Sequence, residues 1–313
     1  MILNESTGST GVEYDGSYDL ILEETSWNEV AKVARLRTAN NFWTIGDTKT
    51  ITLNGTVGQI TLDNFQVQVF ILGFDHNSEV EGTGISFGCF KQPGTDNKLA
   101  LTDELNNQYA LGGTLWFNMN HWGKASSPYS TNYGGWKGCD LRYDILGSTN
   151  VAPSGYGATA VVGRTGYDPV NYDIVNAPKA NTLLAALPQD LRSVMKPMTK
   201  WTDNVGGATG SVESNVTSSI EYLPLLAIYE YETDEPYFPP NTYEATKQQL
   251  YAYFAAGNSD AFRNHRFPQY AATYWIRSPQ RNSASGFYFR MAGGDPMSSS
   301  MYSRGIVTVL LVG

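Results

Sequence analysis

Apolar positions first fall into a helical rhythm at Trp27, Val30, Ala31 and Ala34, which predicts a helix over 27–38 with those four residues on its inner face. Ser26 and Glu29 stand three apart at its start. At that spacing a serine oxygen and a glutamate carboxylate each satisfy a backbone N–H that the first turn leaves free. After Asn40 the rhythm shortens to two, and 50–53, 59–62 and 67–74 read as strands with Asn54-Gly55 and Asp63-Asn64 as turns. A short strand follows at 84–90, and a short helix begins over 103–105. Residues 182–187 and 188–196 read as two helical pieces, with Pro188 suited to a first turn and Pro197 ending the second. Residues 218–231 form a strand candidate whose apolar patch contains Pro224. Asn241 caps an expected helix over 242–256 that Gly257 stops. Strands at 271–276, 286–291 and 306–312 complete the pattern, and no fixed-period repeat points to a solenoid or propeller.

Residues 1–25 mix Gly, Ser, Thr and acidic groups around a short alternating piece at 18–22. They read as an arm of the kind that contacts a neighbouring subunit, leaving a homo-oligomer open. Residues 26–313 read as one domain with insertions, of which 148–181 is a long connection or lobe. Trp116, Trp122 and Trp136, set among Gly, Ser, Asn and Tyr, argue for an irregular region held by aromatic burial rather than for disorder.

Composition changes the picture in three ways. Charged residues are 16% of the 313, below the usual share of about 25%, while 31 Gly, 20 Tyr and 7 Trp favour β-rich or irregular structure over a helical bundle. A net charge of -9 without clustered Lys and Arg excludes a nucleic-acid backbone as partner. Residues 1–16 lack the basic and apolar regions of a secretory signal, and no window approaches the roughly 18 apolar residues of a membrane helix. A soluble protein made in the cytoplasm, with no membrane insertion, is expected. Cys89 and Cys139 are too few for a disulfide framework or metal cluster; buried thiols are preferred to a bridge.

Candidate chemistry is sparse. His76, between Asp75 and Asn77, could act as a base or metal ligand, but a turn residue bonding local backbone is the simpler reading. His121 beside Trp122 reads as a half-buried histidine, and His265 between Arg263 and Arg266 as a surface one. No Gly-x-Ser-x-Gly elbow introduces a nucleophile. The acidic pairs Glu230 with Glu232 and Asp234 with Glu235 lack a calcium-loop pattern and read as a solvated edge. Arg142 and Arg277 read as structural arginines paired to a carboxylate such as Asp47, with Trp136 and Trp275 as packing partners; a ligand-contacting fork is the alternative.

Several motifs carry a resemblance. Phe42-Trp43-Thr44-Ile45-Gly46-Asp47, Ile71-Leu72-Gly73-Phe74-Asp75-His76-Asn77, Gly134-Gly135-Trp136 with Leu141-Arg142, and Tyr274-Trp275-Ile276-Arg277-Ser278-Pro279 are spread through the part of the chain from Ser26 onward, about nine-tenths of it. In that order they resemble an uncharacterised domain family of bacteriophage and Gram-positive bacterial proteins, often found beside tail or adhesion modules. The Trp-Ile-Arg-Ser-Pro segment, the polar stretch after it and the final strand are also similar to the C-terminal half of C-type-lectin-like proteins of the formylglycine-generating-enzyme type, some of them variable proteins of diversity-generating retroelements. Two departures stand out. Family members commonly close with Gly-Val-Arg-Pro where this chain has Gly305-Ile306-Val307-Thr308, and the paired catalytic cysteines of formylglycine-generating enzymes are absent near the C-terminus.

The resemblance implies an α+β, C-type-lectin-like fold with short strands, few helices and long loops, and a non-catalytic ligand-binding protein in a virion, associated with its tail. Residues 280–303 would be the variable face, with Arg281, Asn282, Ser283, Ser285, Tyr288, Ser298, Ser299, Ser300 and Tyr302 contacting a cell-surface protein or glycan, alongside contacts to other virion proteins. Tyr rings bury area at small entropic cost while Ser and Asn adapt their hydrogen bonds. Neither cofactor nor metal is expected. The rival readings are a structural virion component, in the capsid or baseplate, and a glycan hydrolase with carboxylates paired across a cleft.

Overall fold

Ser26 opens the first helix as its spacing predicts. Its hydroxyl accepts the Glu29 N–H, the Glu29 carboxylate accepts the Ser26 N–H, and α1 runs over Trp27–Arg35. The helix stops short of residue 38 because Arg37 takes a left-handed backbone, with φ of 56°. The structure is a computed structural model that describes residues 20–102, 117–120, 132–156, 162–232, 240–284, 286–291, 294–298 and 305–313, with backbone alone at 291 and 294–298. The helix expected at 103–105 and most of the arm lie outside these.

The chain is α+β, with mostly antiparallel sheets and short helices. β1 (Thr48–Val57) and β2 (Ile60–Phe74) form a long hairpin that merges the three strands expected between 50 and 74 into two. Asn54-Gly55 and Asp63-Asn64 are therefore not turns. They face each other as an irregularity in the ladder, where the Asn54 side-chain oxygen accepts the Asn64 N–H at 2.8 Å. The chain reverses instead at Gly58, whose φ of 59° suits a residue without a side chain.

After α2 (Ser78–Glu81) come β3 (Ile85–Lys91) and β4 (Lys98–Ala100); then α3 (Leu183–Ala186), α4 (Gln189–Arg192), β5 (Met195–Lys196), β6 (Met198–Asp203) and β7 (Val216–Glu221). The strand expected at 218–231 ends at Glu221. Beyond it, Pro224 and Leu226 offer their carbonyls to Val309 and Arg277, and α5 (Ile228–Tyr231) follows. The helix expected over 242–256 also divides. Asn241 caps a 3-10 turn at Thr242–Thr246, and α6 (Ala252–Ala255) starts afresh after Tyr251 gives its N–H to the Glu230 carbonyl.

The C-terminal part supplies β8 (Arg263–Asn264), β9 (Thr273–Pro279), β10 (Phe287–Met291), β11 (Gly294–Ser298) and β12 (Val309–Val312). The main sheet has the order β1-β2-β3-β12-β5, with β4 on β3 and β8 parallel to β4. The last strand thus returns to the middle of the sheet. Smaller sheets are β11-β10-β9 and β6-β7.

One hydrophobic cluster extends from Leu22 and α1 across one face of the main sheet to Val312. A second, including Phe70, Leu72, Tyr251, Tyr274 and Ile276, lies between that sheet and β9. Each such side chain contributes roughly 1.5–3 kcal/mol on burial. Both cysteines are free and buried, and burial pushes the Cys139 thiol up to about 12.

Candidate ligand-binding face and its buried floor

Every residue of β9 is buried. Its Arg277 guanidinium donates to both oxygens of Glu230 on α5, at 2.5 and 2.8 Å, to the Leu225 carbonyl at 2.7 Å and to the Thr202 hydroxyl at 3.0 Å. Lys200 on β6 gives its ammonium to Glu230 at 2.7 Å, to Glu81 on α2 and to the Tyr251 hydroxyl at 2.9 Å. Two buried carboxylates therefore share two buried cations, and the fork of Arg277 gives the pairing direction as well as charge.

Burial works against the charge on Glu230, but Arg277 and then Lys200 outweigh it and hold the carboxyl well below its usual range. Glu81 is raised, because burial exceeds what Lys200 returns. His76 stacks on Tyr251 with ring centroids 3.7 Å apart, and burial followed by the nearby Lys200 charge lowers its pKa to about 3. It lies in the turn after β2 as expected, but its ring is buried and neutral and meets Tyr251 and the Gln249 backbone rather than the backbone of its own turn. Glu230 is likewise no part of a solvated edge: it is wholly buried, and it rather than Asp47 pairs with Arg277. Asp47 accepts the N–H and hydroxyl of Thr44 in its own turn. Asp234 and Glu235 lie outside the described residues.

A second layer continues from Ser278, whose hydroxyl donates to Glu244 at 2.7 Å. Glu244 also accepts from Gln248 at 2.9 Å and from the Asp203 N–H at 2.8 Å, and burial raises its pKa to about 7. The Asp203 carboxylate in turn holds the N–H groups of Val205 and Gly206, both at 2.9 Å. That turn brings the Gly207 N–H to the side-chain oxygen of Asn132, at 2.8 Å.

Asn132 then closes the base of the loop between β9 and β10. Its amide nitrogen lies 2.8–3.1 Å from the carbonyls of Gln280, Ser283 and Gly286, and its backbone N–H donates to Ala284 at 2.9 Å. On the outer side, the Gly210 N–H donates to the Arg281 carbonyl at 2.8 Å. The Arg281 guanidinium reaches the Ser211 hydroxyl at 3.2 Å, which also accepts the Thr242 N–H.

The nine residues expected to contact ligand divide accordingly. Asn282 is exposed, and Arg281 and Ser283 are half-buried at the loop. Tyr288 is 4% exposed and belongs to the second hydrophobic cluster, so it supports the face from below rather than being displayed on it. For Ser298 only the backbone is described, opposite Tyr288 in the β10–β11 ladder. Ser285, Ser299, Ser300 and Tyr302 lie outside the described residues. The sequence reading missed Asn132, Glu244 and Ser211. The small-residue run Gly206-Gly207-Ala208-Thr209-Gly210 was the signal for the second loop, and nothing local marks Asn132.

A separate pin explains the other motifs. Trp136 and Arg142 both bond the buried Glu221 of β7, the indole at 2.9 Å and the guanidinium at 2.9 and 3.2 Å, and the Ser148 hydroxyl donates to it at 2.7 Å. Glu221 thus stands where Asp47 was expected. Gly135 approaches so closely that a Cβ there would sit 1.9 Å from the Asp203 carbonyl oxygen, which accounts for the Gly-Gly-Trp spelling. Trp275 is fully buried, and its indole donates to the Phe117 carbonyl.

His265 is buried, not on the surface. Its Nδ1 accepts the Thr102 N–H at 3.0 Å, and burial lowers its pKa to about 3. His121 lies outside the described residues. Among the described residues no three His, Cys, Asp or Glu side chains gather as a metal site, and no helix is long and apolar enough to cross a membrane. Comparison with protein-family models, curated proteins and solved structures gives no significant match.

Proposed function

We propose that the chain is a non-catalytic ligand-binding protein of C-type-lectin-like architecture, presenting residues 280–303 to a cell-surface protein or glycan. The observation that carries this reading is the anchoring of the 280–286 loop: Asn132 ties three of its carbonyls, and Arg277 and Ser278 fix the strand that feeds it, while Asn282 stays exposed. Rigid support lets surface side chains change without unfolding what lies beneath. The antiparallel sheets and the return of the last strand to the sheet centre support the architecture. The setting in a virion, at the tail, rests on the motif resemblance. The buried carboxylates of the floor are sealed by Lys200 and Arg277, an arrangement that favours support over hydrolysis.

The test joins three substitutions, Arg281→Ala, Asn282→Ala and Ser283→Ala, in one protein. Fluorescently labelled protein is titrated onto a panel of Gram-positive cells beside wild type, with thermal unfolding as the control. A loss of at least tenfold in cell affinity at an unchanged melting temperature is expected. Unchanged binding to a cell type that wild type recognises would overturn the reading. The structural-component alternative has one observation in its favour, the exposed Val162 and Val170 within residues 148–181, 80% and 60% accessible.

A further inference from the structure

β1 occupies one edge of the main sheet and is ten residues long. So long an edge is a ready template for another strand unless something covers it. The Thr50 N–H is accepted by the Glu23 carboxylate at 2.8 Å, so it points away from β2. Backbone groups in an antiparallel ladder alternate in direction, which turns the N–H and C=O of Thr52 outward as well. Among the described residues, Thr52 makes no backbone bond outside the β1–β2 ladder.

Beside this edge runs an open groove of about 460 Å³, bounded by Thr50, Thr52, Trp27, Ala185, Leu187 and Pro188. One wall thus offers backbone donors and acceptors, and the other offers mainly apolar side chains with Asp190 among them. An extended segment with apolar residues at alternate positions satisfies both.

The sequence contains such a segment. Gly11-Val12-Glu13-Tyr14-Asp15-Gly16 puts Val12 and Tyr14 on one face of an extended chain and Glu13 and Asp15 on the other, between two glycines. The chain that follows shows where the arm departs. Trp27 lines the groove; Glu23 and Leu22 give their carbonyls to Lys49 at 3.0 and 3.1 Å, and Leu20 gives its carbonyl to the Trp43 indole at 2.9 Å. Traced backwards, the described backbone passes from Trp27 at the groove to Leu20 beside Trp43, so the point from which the chain's own arm starts is turned away from its own groove.

We propose that the outward edge of β1 at Thr52, beyond the Thr50 N–H that Glu23 holds, and the groove beside it receive residues 1–19 of a second copy of this chain as an added strand. Reciprocal exchange of two arms makes each copy both donor and acceptor and closes a two-fold pair.

Light scattering after size exclusion tests this on the full chain, on a chain lacking residues 1–19, and on Thr52→Pro, which removes an outward N–H that β2 does not use. The full chain is expected as a dimer, and both variants as monomers with wild-type circular dichroism. Should Thr52→Pro fail to fold, the truncated chain carries the measurement. Mixing a Val12→Cys chain with a tagged Thr52→Cys chain under oxidation should give a mixed disulfide dimer. A truncated chain with the same mass distribution as the full chain would overturn the proposal. So would a disulfide forming within single chains of the Val12→Cys, Thr52→Cys double variant, which would assign the groove to the chain's own arm.

Discussion

Arg277 and Arg281 stand four residues apart and live in different media. Arg277 is wholly buried, and each part of its guanidinium has a partner: two carboxylate oxygens, a carbonyl and a hydroxyl. Arg281 is half-buried and, among the described residues, makes one side-chain bond, of 3.2 Å, to a serine that a backbone N–H already engages. The same side chain thus serves as a fastening in one place and as part of a face in the other. What decides is whether water can replace the partner: at Arg281 it can, and at Arg277 it cannot.

The largest expected effect follows from removing the buried fork. Arg277→Ala leaves Glu230 with Lys200 as its remaining cation beside the Ala227 N–H, while Glu81 still competes for that ammonium, and loss of one partner of a buried ion pair costs about 3–5 kcal/mol. Urea unfolding at pH 7 reads it as a fall in the midpoint. A loss below about 1 kcal/mol would show that the floor relaxes and would remove the distinction between the two arginines.

How much of this arrangement the sequence disclosed depended on the range of the interaction. The Ser26–Glu29 box and the Asn241 cap span two or three residues, and both form as read. Asn54-Gly55 misled because the turn chemistry of Asn is also that of a bulge, and only the opposite strand, with Asn64, distinguishes them. The partners of Arg277, Arg142, His265 and Asn132 lie 47, 79, 163 and as many as 154 residues away, so their residue types were visible but their pairings were not. Glu230 looked like an acidic surface because Glu232 and two further acids follow it. Its burial is set by Lys200 and Arg277, which no local pattern brings to it. Tyr288 has the residue type of a display position, but its place in β10 turns its ring toward the second cluster.

An intermediate effect separates floor from face by pH. The Glu244 carboxyl rises from about 4.5 to about 7 in the folded chain, so the folded state binds its proton more tightly than the unfolded state does. Its contribution is complete below pH 4.5 and is lost as pH climbs through 7, amounting to roughly 2 kcal/mol between pH 5 and 7.5. His76 and His265 act in the other direction. Both are lowered to about 3, and the stability they confer is present above pH 6.5 and lost as pH falls. Urea midpoints of wild type and Glu244→Gln, compared at pH 5 and 7.5, isolate the carboxyl because the histidines are common to both proteins. Wild type should gain on the variant at pH 5. An unchanged difference would mean that Glu244 is ionised throughout and that its three donors, not burial, govern it.

The smallest effect belongs to the face. Arg281→Ala gives up one bond to Ser211 and a partly hydrated guanidinium, and the Ser211 hydroxyl keeps the Thr242 N–H. A surface change of this kind stays within about 0.5 kcal/mol. The backbone under it is held independently, by the Gly210 N–H on the Arg281 carbonyl and by Asn132 on Gln280 and Ser283, and none of these bonds involves the deleted side chain. Urea midpoints should therefore coincide with wild type, and amide exchange at Ser283 and Ala284 should not quicken. Faster exchange there at unchanged global stability would give Arg281 a share in fastening the loop, and the boundary between frame and face would move outward by one residue.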